Sequence, residues 1–426
     1  MLARVPNPFR PGFAEPPAFL AGRDEVLAAV DEAIAIAAVD HYSPRPLFLV
    51  GPRGVGKTVI LNEIAARATA HHGWPQLHVE ITRSEPLSPY IAFLATQVTA
   101  LLRQSPAGRR FQVDQAVLRA QLPGVGAELR VSKDRAPEPF VGAAAEQALA
   151  ELATAALERD SGFVLTVDEA QAAARSDFGG FAAILQRAAR EQWPMVSAIA
   201  GLPTLREATH DTQPSLGYLE RAIWYDLNVL HHDDTIAALK EPAARAGRPI
   251  DDQAADLLAD ATGGYPYAIQ LYGQHAWRHS AGQPTINLAA AHAAIATGAA
   301  ELDRGLYGAR WSQTPERERE YLRAVAELLT AGRQATGRSV ADRLGKTPRA
   351  VAVYRDRLLK KGTLVSDGTA LSFAIPGMAD YVRRQPPPQL PAPRPTSPAP
   401  DKPTAQAQAL RASRARRQPP RPDRGR

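Results

Sequence analysis

Cysteine is absent from the 426-residue sequence. Without thiols the chain can form neither a disulfide framework nor a zinc site built on thiolates. Long apolar runs are missing too, because no stretch of about 18 apolar residues occurs, and no membrane span is therefore predicted. The first residues, MLARVPNPFRPGFAEPP, carry prolines where a signal peptide needs an apolar segment. Together these absences lead us to expect a cytoplasmic protein.

Little net charge remains once the C-terminal tail is set aside. Residues 385–426 hold eight Arg, one Lys and two Asp, a net charge of +7, whereas the whole chain carries +6 and the other 384 residues therefore −1. This tail of Pro, Arg and Ala cannot bury enough apolar surface to offset the entropy of ordering, so we predict that it is disordered. Over the whole chain, 45% hydrophobic and 22% charged residues are typical of a globular protein, and the length predicts two or three folded units.

Short apolar runs alternate with helical patterns over the first half of the chain. The predicted strands are 46–50, 77–81, 163–167 and 195–200, and the predicted helices are 23–39, 59–70, 91–102 and 146–158. This alternation predicts a parallel sheet covered by helices on both faces. Residues 105–139 are less regular and are predicted to form an extended insertion.

After residue 230 the pattern is helical. Helices are predicted at 233–245, 251–261, 267–279 and 288–302, and then at 315–329, 339–344 and 348–361. Two short apolar segments, 364–366 and 371–375, follow with Asp367 and Gly368 between them as turn residues. The second half therefore contains a helical region followed by three helices and a hairpin.

Residues 51–58 read GPRGVGKT and match the phosphate-binding P-loop pattern without a mismatch. The candidate nucleotide-binding residues are Gly51, Pro52, Arg53, Gly54, Val55, Gly56, Lys57 and Thr58. The glycines let several backbone N–H groups point at one phosphate, and the next helix presents its positive end to the same anion. We expect Lys57 to bind the outer phosphates and Thr58 to hold Mg²⁺. The apolar run before the loop and the helical pattern after it favour this interpretation over a chance Gly-rich turn.

A second motif, FVLTVDE, places two carboxylates at the end of an apolar strand. Asp168 is expected to bind Mg²⁺, and Glu169 to orient and deprotonate a water for attack on the terminal phosphate. The alternative is that both carboxylates cap the next helix, where acidic residues are favoured. Their position about 110 residues after the P-loop favours the catalytic interpretation.

These motifs, with GLPTL at 201–205 and GGYPY at 263–267, resemble AAA+ ATPases. The group that the chain resembles most is the origin-recognition-complex-like bacterial ATPases, which border on the STAND signalling ATPases, and the resemblance covers about residues 7–384. The segments NPFRPGF and FLAGRDE resemble the part of those proteins that covers adenine. The resemblance implies ATP and Mg²⁺ as cofactors.

Further site residues follow from the resemblance alone. It implies that Leu20, Gly22 and Arg23 approach the base, although Arg23 could equally be a solvated residue at a helix start. It places Pro266 against the nucleotide, where the alternative is an ordinary turn. It offers Arg221 as an arginine finger for a neighbour's phosphate, and the alternative there is a surface ion pair.

The chain departs from the AAA+ pattern at its sensor residues. A polar residue is expected at the end of the fourth strand, and Ser197 is the only nearby candidate. No sensor arginine is visible after the GGYPY segment, where Gln270, Gln274 and His275 follow. Nucleotide binding is therefore expected more firmly than rapid hydrolysis.

The last three helices and the hairpin are predicted to form a winged helix. Thr347 suits an N-cap, Pro348 the first helical position and Gly362 the position after the helix. Basic residues dominate the polar positions of the third helix: Arg349, Arg355, Arg357, Lys360 and Lys361. Such a helix could enter a major groove or contact phosphates, but winged helices also serve as protein-interaction modules.

We therefore predict an α/β chain with a P-loop NTPase parallel sheet covered by helices, followed by an α-helical lid and a winged-helix domain. The predicted units are an arm (1–20), the ATPase domain (21–230), the lid (231–312), the winged helix (313–384) and the tail (385–426). The leading hypothesis is an ATP-dependent switch that binds duplex DNA through residues 338–361 and the basic tail. The alternative is a STAND-like signalling scaffold with slow hydrolysis, as a homo-oligomer or with protein partners.

Overall fold

The computed structural model describes residues 6–12, 15–81, 87–104, 139–173, 175–209 and 214–386. Within these ranges the chain up to Gln385 forms one compact unit. The predicted insertion at 105–138 and the tail from 387 onward lie outside the described residues. Among the described helices, none combines the length and apolarity that a membrane span needs.

The centre of the first half is a parallel sheet of five strands. They are β1 (Leu47–Val50), β2 (Gln76–Glu80), β3 (Phe163–Asp168), β4 (Met195–Gly201) and β5 (Ile223–Asp226), in the order β2-β3-β4-β1-β5. The first four confirm the predicted strands. The edge strand β5 was not predicted, because its four residues, IWYD, are only half-buried and form no continuous apolar run.

Helices cover both faces of this sheet, as predicted. They are α1 (Asp24–Val39), α2 (Lys57–His72), α3 (Leu87–Gln104), α4 (Pro139–Leu157), α5 (Arg175–Arg190) and α6 (Thr204–Thr209). Successive strand residues point to opposite faces, so Val164 packs with α1 and α2 while Leu165 packs with α3, α4 and α5. Helix α5 was not predicted, since the Gly179-Gly180 pair interrupts its apolar pattern.

The second half begins with helices α7 (His232–Arg245), α8 (Asp252–Thr262), α9 (Pro266–His279) and α10 (Leu288–Leu302), close to the predicted bounds. A π-helical turn (Asp303–Tyr307) and α11 (Gly308–Ser312), which were not predicted, continue α10.

The N-terminal segment packs on α9. Phe9 is fully buried against Gly273, where an added Cβ would lie 2.5 Å from the Phe9 ring. Asn7 Nδ2 donates to the carbonyl of Gln274, and the backbone N–H of Arg10 donates to Gln270 Oε1, both at 3.1 Å. Residues 6–12 are thus fastened to the helical region rather than to the sheet.

The C-terminal segment (residues 316–384) contains three helices, a hairpin and a final helix. They are α12 (Glu316–Thr330), α13 (Gly337–Arg343), α14 (Pro348–Lys360), β6 (Leu364–Asp367), β7 (Ala370–Phe373) and α15 (Met378–Arg384). Thr347 Oγ1 caps α14 by accepting from the N–H of Ala350, as predicted. β6 and β7 are antiparallel, and Thr336 forms a bridge to Ala370. The core of this segment is continuous with that of α7–α10.

The C-terminal segment approaches the end of the sheet at Gly362. Gly362, directly after α14, has a φ of +63° and faces Leu202, which follows β4. A methyl group added at Gly362 would lie 3.0 Å from Leu202 Cδ2. The turn that ends α14 therefore rests on the same edge of the sheet as the P-loop, which follows β1.

Candidate functional site

The P-loop connects β1 to α2 through a backbone that only glycine adopts readily. Gly54 and Gly56 have φ angles of +81° and +97°. A Cβ at Gly54 would lie 1.9 Å from the Tyr265 hydroxyl, and one at Gly51 would lie 2.1 Å from the carbonyl oxygen of Leu227. Tyr265 also donates from its hydroxyl to the Arg53 carbonyl at 3.1 Å. Helix α9 is thus tied to the loop through the residue before it.

Lys57 lies across this loop. Its Nζ donates to the carbonyls of Gly51 (2.8 Å) and Pro52 (2.7 Å), and only 6% of the residue is exposed. Burial lowers the pKa of Lys57 to about 8, and the nearby carboxylates of Glu169 and Asp168 oppose this effect. An anion in the cavity would supply the counter-charge that the ammonium group lacks, as the predicted phosphate contact requires.

Thr58 and Asp168 form a pair of oxygen donors. Thr58 Oγ1 donates to Asp168 Oδ2 at 2.5 Å, and Asp168 is buried at the end of β3. Glu80, at the paired end of β2, lines the same cavity. Hydroxyl and carboxylate oxygens are the ligands that Mg²⁺ prefers, so this donor set fits the predicted magnesium site.

Glu169 follows with a backbone φ of +52°, which is uncommon for a residue with a side chain. Its Oε2 accepts from Gln171 Nε2 at 2.6 Å and lies 3.4 Å from Arg53 Nη2. Glu169 precedes the short 3₁₀ turn Ala170–Ala172, but its side chain makes no capping hydrogen bond there. Glu169 therefore does not cap this turn, whereas Asp168 Oδ1 accepts from the N–H of Glu169 at 2.8 Å, and the catalytic role of Glu169 stays a prediction.

The P-loop and the two carboxylates form one end of a cavity of about 630 Å³. Leu20, Arg23 and Pro266 line it, whereas Gly22 is not among its lining residues, and their contact with a nucleotide stays a prediction. Arg23 is not a solvated residue, because its Nη2 donates to the carbonyls of Val55 (3.2 Å) and Asn228 (2.8 Å), and burial lowers its pKa. Arg23 thus fastens the N-terminal segment beside the P-loop.

Arg310, in α11, is a cavity residue that the sequence analysis missed. Burial lowers its pKa, and the positive charge of Arg53 acts in the same direction. Within the described ranges, no hydrogen bond or ion pair neutralises its guanidinium. No motif surrounds Arg310 in the sequence, and only the π-helical turn after α10 brings it to the cavity. The helical region after GGYPY, where the sequence showed no sensor arginine, therefore does supply a cationic side chain to the cavity.

The structure does not place Ser197, the nearest sensor candidate, at the end of β4. Ser197 lies within β4 opposite Leu165, is fully buried, and its hydroxyl has no partner among the described residues. The strand continues four residues further than Ser197, so its actual end is Gly201. Arg221 also lies away from the cavity, before β5, at the edge where the parallel strands begin. It cannot reach the P-loop of its own chain, and action on a neighbouring chain stays a prediction.

Residues 20–207 match the family described as the AAA ATPase domain. Residues 304–382 match a second family, described as a domain of unknown function, DUF8462. No curated protein sequence matches the chain significantly. The family match and the P-loop geometry both support nucleotide binding by residues 20–207, which are similar to an AAA ATPase domain.

Several solved structures are similar in fold. The Walker-type ATPase PABY2304 of Pyrococcus abyssi is 15% identical, with a TM-score of 0.58 over 85% of this chain and 96% of that one. The Holliday junction branch migration motor RuvB of Thermotoga maritima is 14% identical, with a TM-score of 0.42 over 83% and 92% of the two chains. Cdc6p from Pyrobaculum aerophilum is 15% identical, with a TM-score of 0.43 over 88% and 95%. The first of these is similar in fold over 85% of this chain.

Proposed function

We propose that this chain is an ATP-dependent switch that holds Mg²⁺-ATP in the cavity, hydrolyses it slowly, and binds duplex DNA through its C-terminal segment. One observation carries the proposal. The cavity brings Lys57, Thr58, Asp168 and Glu169 together and is also lined by the N-terminal segment and by helices after residue 230. A nucleotide bound there touches parts of the chain that are far apart in sequence, so its state can control how they pack.

The side chains around the cavity have distinct roles in this proposal. Lys57 and the P-loop N–H groups bind the phosphates. Thr58 and Asp168 would hold Mg²⁺, which when bound neutralises charge on the phosphates. Glu169 accepts a proton from water through Oε1, because Gln171 and Arg53 both contact Oε2. Leu20 and Pro266 enclose the base.

The order of helices, hairpin and bridge in residues 316–384 supports the winged-helix proposal. On α14, the side chains of Arg349, Arg357 and Lys360 are exposed, and no ion pair among the described residues neutralises them. The other two predicted basic contacts are weaker candidates. Arg355 pairs with Asp356 at 2.9 Å, and Lys361 pairs at 2.6 Å with Glu318, which is buried. Three cations thus remain to contact DNA phosphates.

A signalling scaffold with protein partners is the second candidate. Val353 is 45% exposed on α14 and would suit a protein surface better than a phosphate backbone. The buried, unpartnered Ser197 is consistent with slow hydrolysis, since it leaves the strand without the expected sensor.

Duplex binding should be measured by fluorescence anisotropy at low salt, with ATP, with ADP and without nucleotide. We expect wild type to bind in a nucleotide-dependent way and Lys57→Ala to lose that dependence. The double variant Arg349→Ala/Arg357→Ala should weaken binding about tenfold or more. It should also lower the slope of the logarithm of the binding constant against the logarithm of the salt concentration by about two. Arg278→Ala, an exposed arginine on α9, is the control and should bind like wild type.

ATP turnover with and without duplex DNA should be measured in parallel. We expect Glu169→Gln to keep ATP binding and lose turnover. If no duplex binds at low salt with any nucleotide, the DNA-binding switch is wrong. Tight ATP binding with negligible turnover would then favour the signalling scaffold, and its partner should be sought among proteins.

A further inference from the structure

The end of β4 carries no side chain that could contact a phosphate or a water. Its last residue is Gly201, and a Cβ there would lie 2.9 Å from Gln171 Oε1 and 2.7 Å from Leu205 Cδ2. Gln171 belongs to the 3₁₀ turn that follows Glu169. The amide of Gln171 therefore fills the space beside the strand end that a longer residue at position 201 would occupy.

Two hydrogen bonds fix the orientation of this amide. Its Oε1 accepts from the backbone N–H of Leu202 at 2.9 Å, and its Nε2 donates to Glu169 Oε2 at 2.6 Å. The reverse orientation would place two donors together at Leu202 and two acceptors together at Glu169. Because the N–H of Leu202 can only donate and the carboxylate can only accept, the network itself assigns the amide.

The amide in turn determines what the Glu169 carboxylate can do. Gln171 and Arg53 both contact Oε2, whereas Oε1 has no partner among the described residues. A general base needs one oxygen directed at the water and a second contact that stops the carboxylate from rotating. The Glu169 side chain is 30% exposed, and solvent alone would leave it mobile. Gln171 provides the contact that holds it.

The support behind Gln171 is rigid. Leu202 is fully buried, and the carbonyl of Gly201 accepts from the N–H of Gly51 at 3.2 Å. The strand end that holds Gln171 is thus bonded to the first residue of the P-loop. Any shift of the P-loop relative to β4 would be transmitted to the amide and from there to Glu169.

We propose that Gln171 is the positioning residue for Glu169 in ATP hydrolysis and substitutes for the polar side chain that the end of β4 lacks. This inference rests on the proposed function, in which Glu169 is the general base. Gln171 itself does not touch the nucleotide. Its effect is on the rate of the chemical step and not on the binding of ATP.

Two substitutions of similar shape separate the bonds that Gln171 makes. Gln171→Glu can still accept from Leu202 but cannot donate to Glu169, whereas Gln171→Met makes neither bond. We expect both to lower kcat about tenfold or more and to change the Kd for ATP by no more than about twofold. Gln147, which donates to Glu151 on the exposed face of α4, is the matched control. Gln147→Glu and Gln147→Met should match wild type in both constants.

The melting temperature of every variant should be recorded with kcat and Kd, because a loss of folding would lower the melting temperature and kcat and raise the apparent Kd. If Gln171→Glu and Gln171→Met keep the wild-type kcat while Glu169→Gln abolishes turnover, the positioning role is wrong and the proposed function stands. If wild type itself hydrolyses no ATP, with or without DNA, the hydrolysis step of the proposed function is wrong and the role of Gln171 falls with it.

Discussion

At Lys57, burial opposes the charge that the ammonium group needs for phosphate binding. Its pKa in the folded protein is about 8, against 10.5 for a solvated lysine. Between these values the unfolded chain binds more protons than the folded one, so the free energy of unfolding rises with pH in this window. We expect the nucleotide-free protein to gain about 1 to 2 kcal/mol from pH 8 to pH 9.5 through this residue.

Urea unfolding of wild type and Lys57→Met across that range measures the difference. Lys57→Met should remove the rise, because it carries no titrating group. Parallel pH curves for the two proteins would contradict the prediction. Groups common to both proteins, the buried tyrosines such as Tyr265 among them, contribute equally to the two pH curves and cancel in this difference.

Arg310 tests how the cavity distinguishes ATP from ADP. A charge-assisted hydrogen bond to a phosphate contributes about 1.5–3 kcal/mol, and the P-loop already serves the inner phosphates. We therefore expect Arg310→Ala to weaken ATP binding about tenfold or more and ADP binding by less than about threefold. Calorimetric titration of both nucleotides measures this, with the exposed Arg304→Ala in the adjacent π-helical turn as the control. An equal loss of affinity for ATP and ADP would show that Arg310 attracts both nucleotides alike and does not distinguish them.

Among the residues of the site, those in local motifs were predicted from the sequence, and those placed there by tertiary contacts were not. The P-loop pattern identifies Lys57 and Thr58, and the end of an apolar strand identifies Asp168 and Glu169. Each motif is only a few residues long, so the sequence alone was enough to find these four site residues. Gln171 and Arg310 carry no sequence signal of their own, since each matters only through what the fold places opposite it. Ser197 was only the nearest polar residue in a strand predicted to end at residue 200, and it lies inside β4 in the structure as well.

Among the elements, the contact between the turn after α14 and the end of β4 can be tested with two glycines. Gly362 and Gly368 have φ angles of +63° and +59°, so alanine is strained at both. Only Gly362 meets a neighbour, Leu202, whereas nothing lies within 4 Å of a Cβ at Gly368. We expect Gly362→Ala to cost about 1 to 2 kcal/mol more than Gly368→Ala.

Thermal and urea unfolding of the two variants provide that comparison. The shared backbone strain cancels, so the difference reports the contact with Leu202. Equal destabilisation would show that the C-terminal segment does not depend on this contact with the sheet.

The boundaries of helices and strands were predicted well where the local sequence signal is strong. Helix α14 begins where Thr347 and Pro348 predict it, because a cap and a fixed φ act locally. Strand β5 and helix α5 were missed, since one is a short edge strand and the other carries two glycines in its interior. The π-helical turn depends on how α10 packs, which no periodicity reveals.

At the scale of the whole molecule, the role of Arg221 depends on whether the protein acts as a monomer or as an assembly. It lies at the opposite edge of the sheet from the P-loop, so a catalytic role requires a second copy of the chain. We expect Arg221→Ala to bind ATP normally and lose most of its turnover. Mixing it with Lys57→Ala should restore part of the activity, because a mixed interface joins an intact P-loop to an intact Arg221.

Turnover of the mixture at several protein concentrations is the measurement, with each variant alone as the control. Wild-type turnover in Arg221→Ala alone would exclude the finger. A mixture no more active than its components would exclude action between copies.

The fastening of residues 6–12 and 15–23 along the cavity has a kinetic consequence. Phe9 is buried in the helical core, and Arg23 holds the P-loop and the chain after β5 together, so the cavity wall on this side is part of the folded protein. We expect release of a bound nucleotide past this wall to require these contacts to open. Exchange of nucleotide would then be slower than its binding chemistry requires, and the molecule would behave as a timer whose interval is set by the release of its own N-terminus.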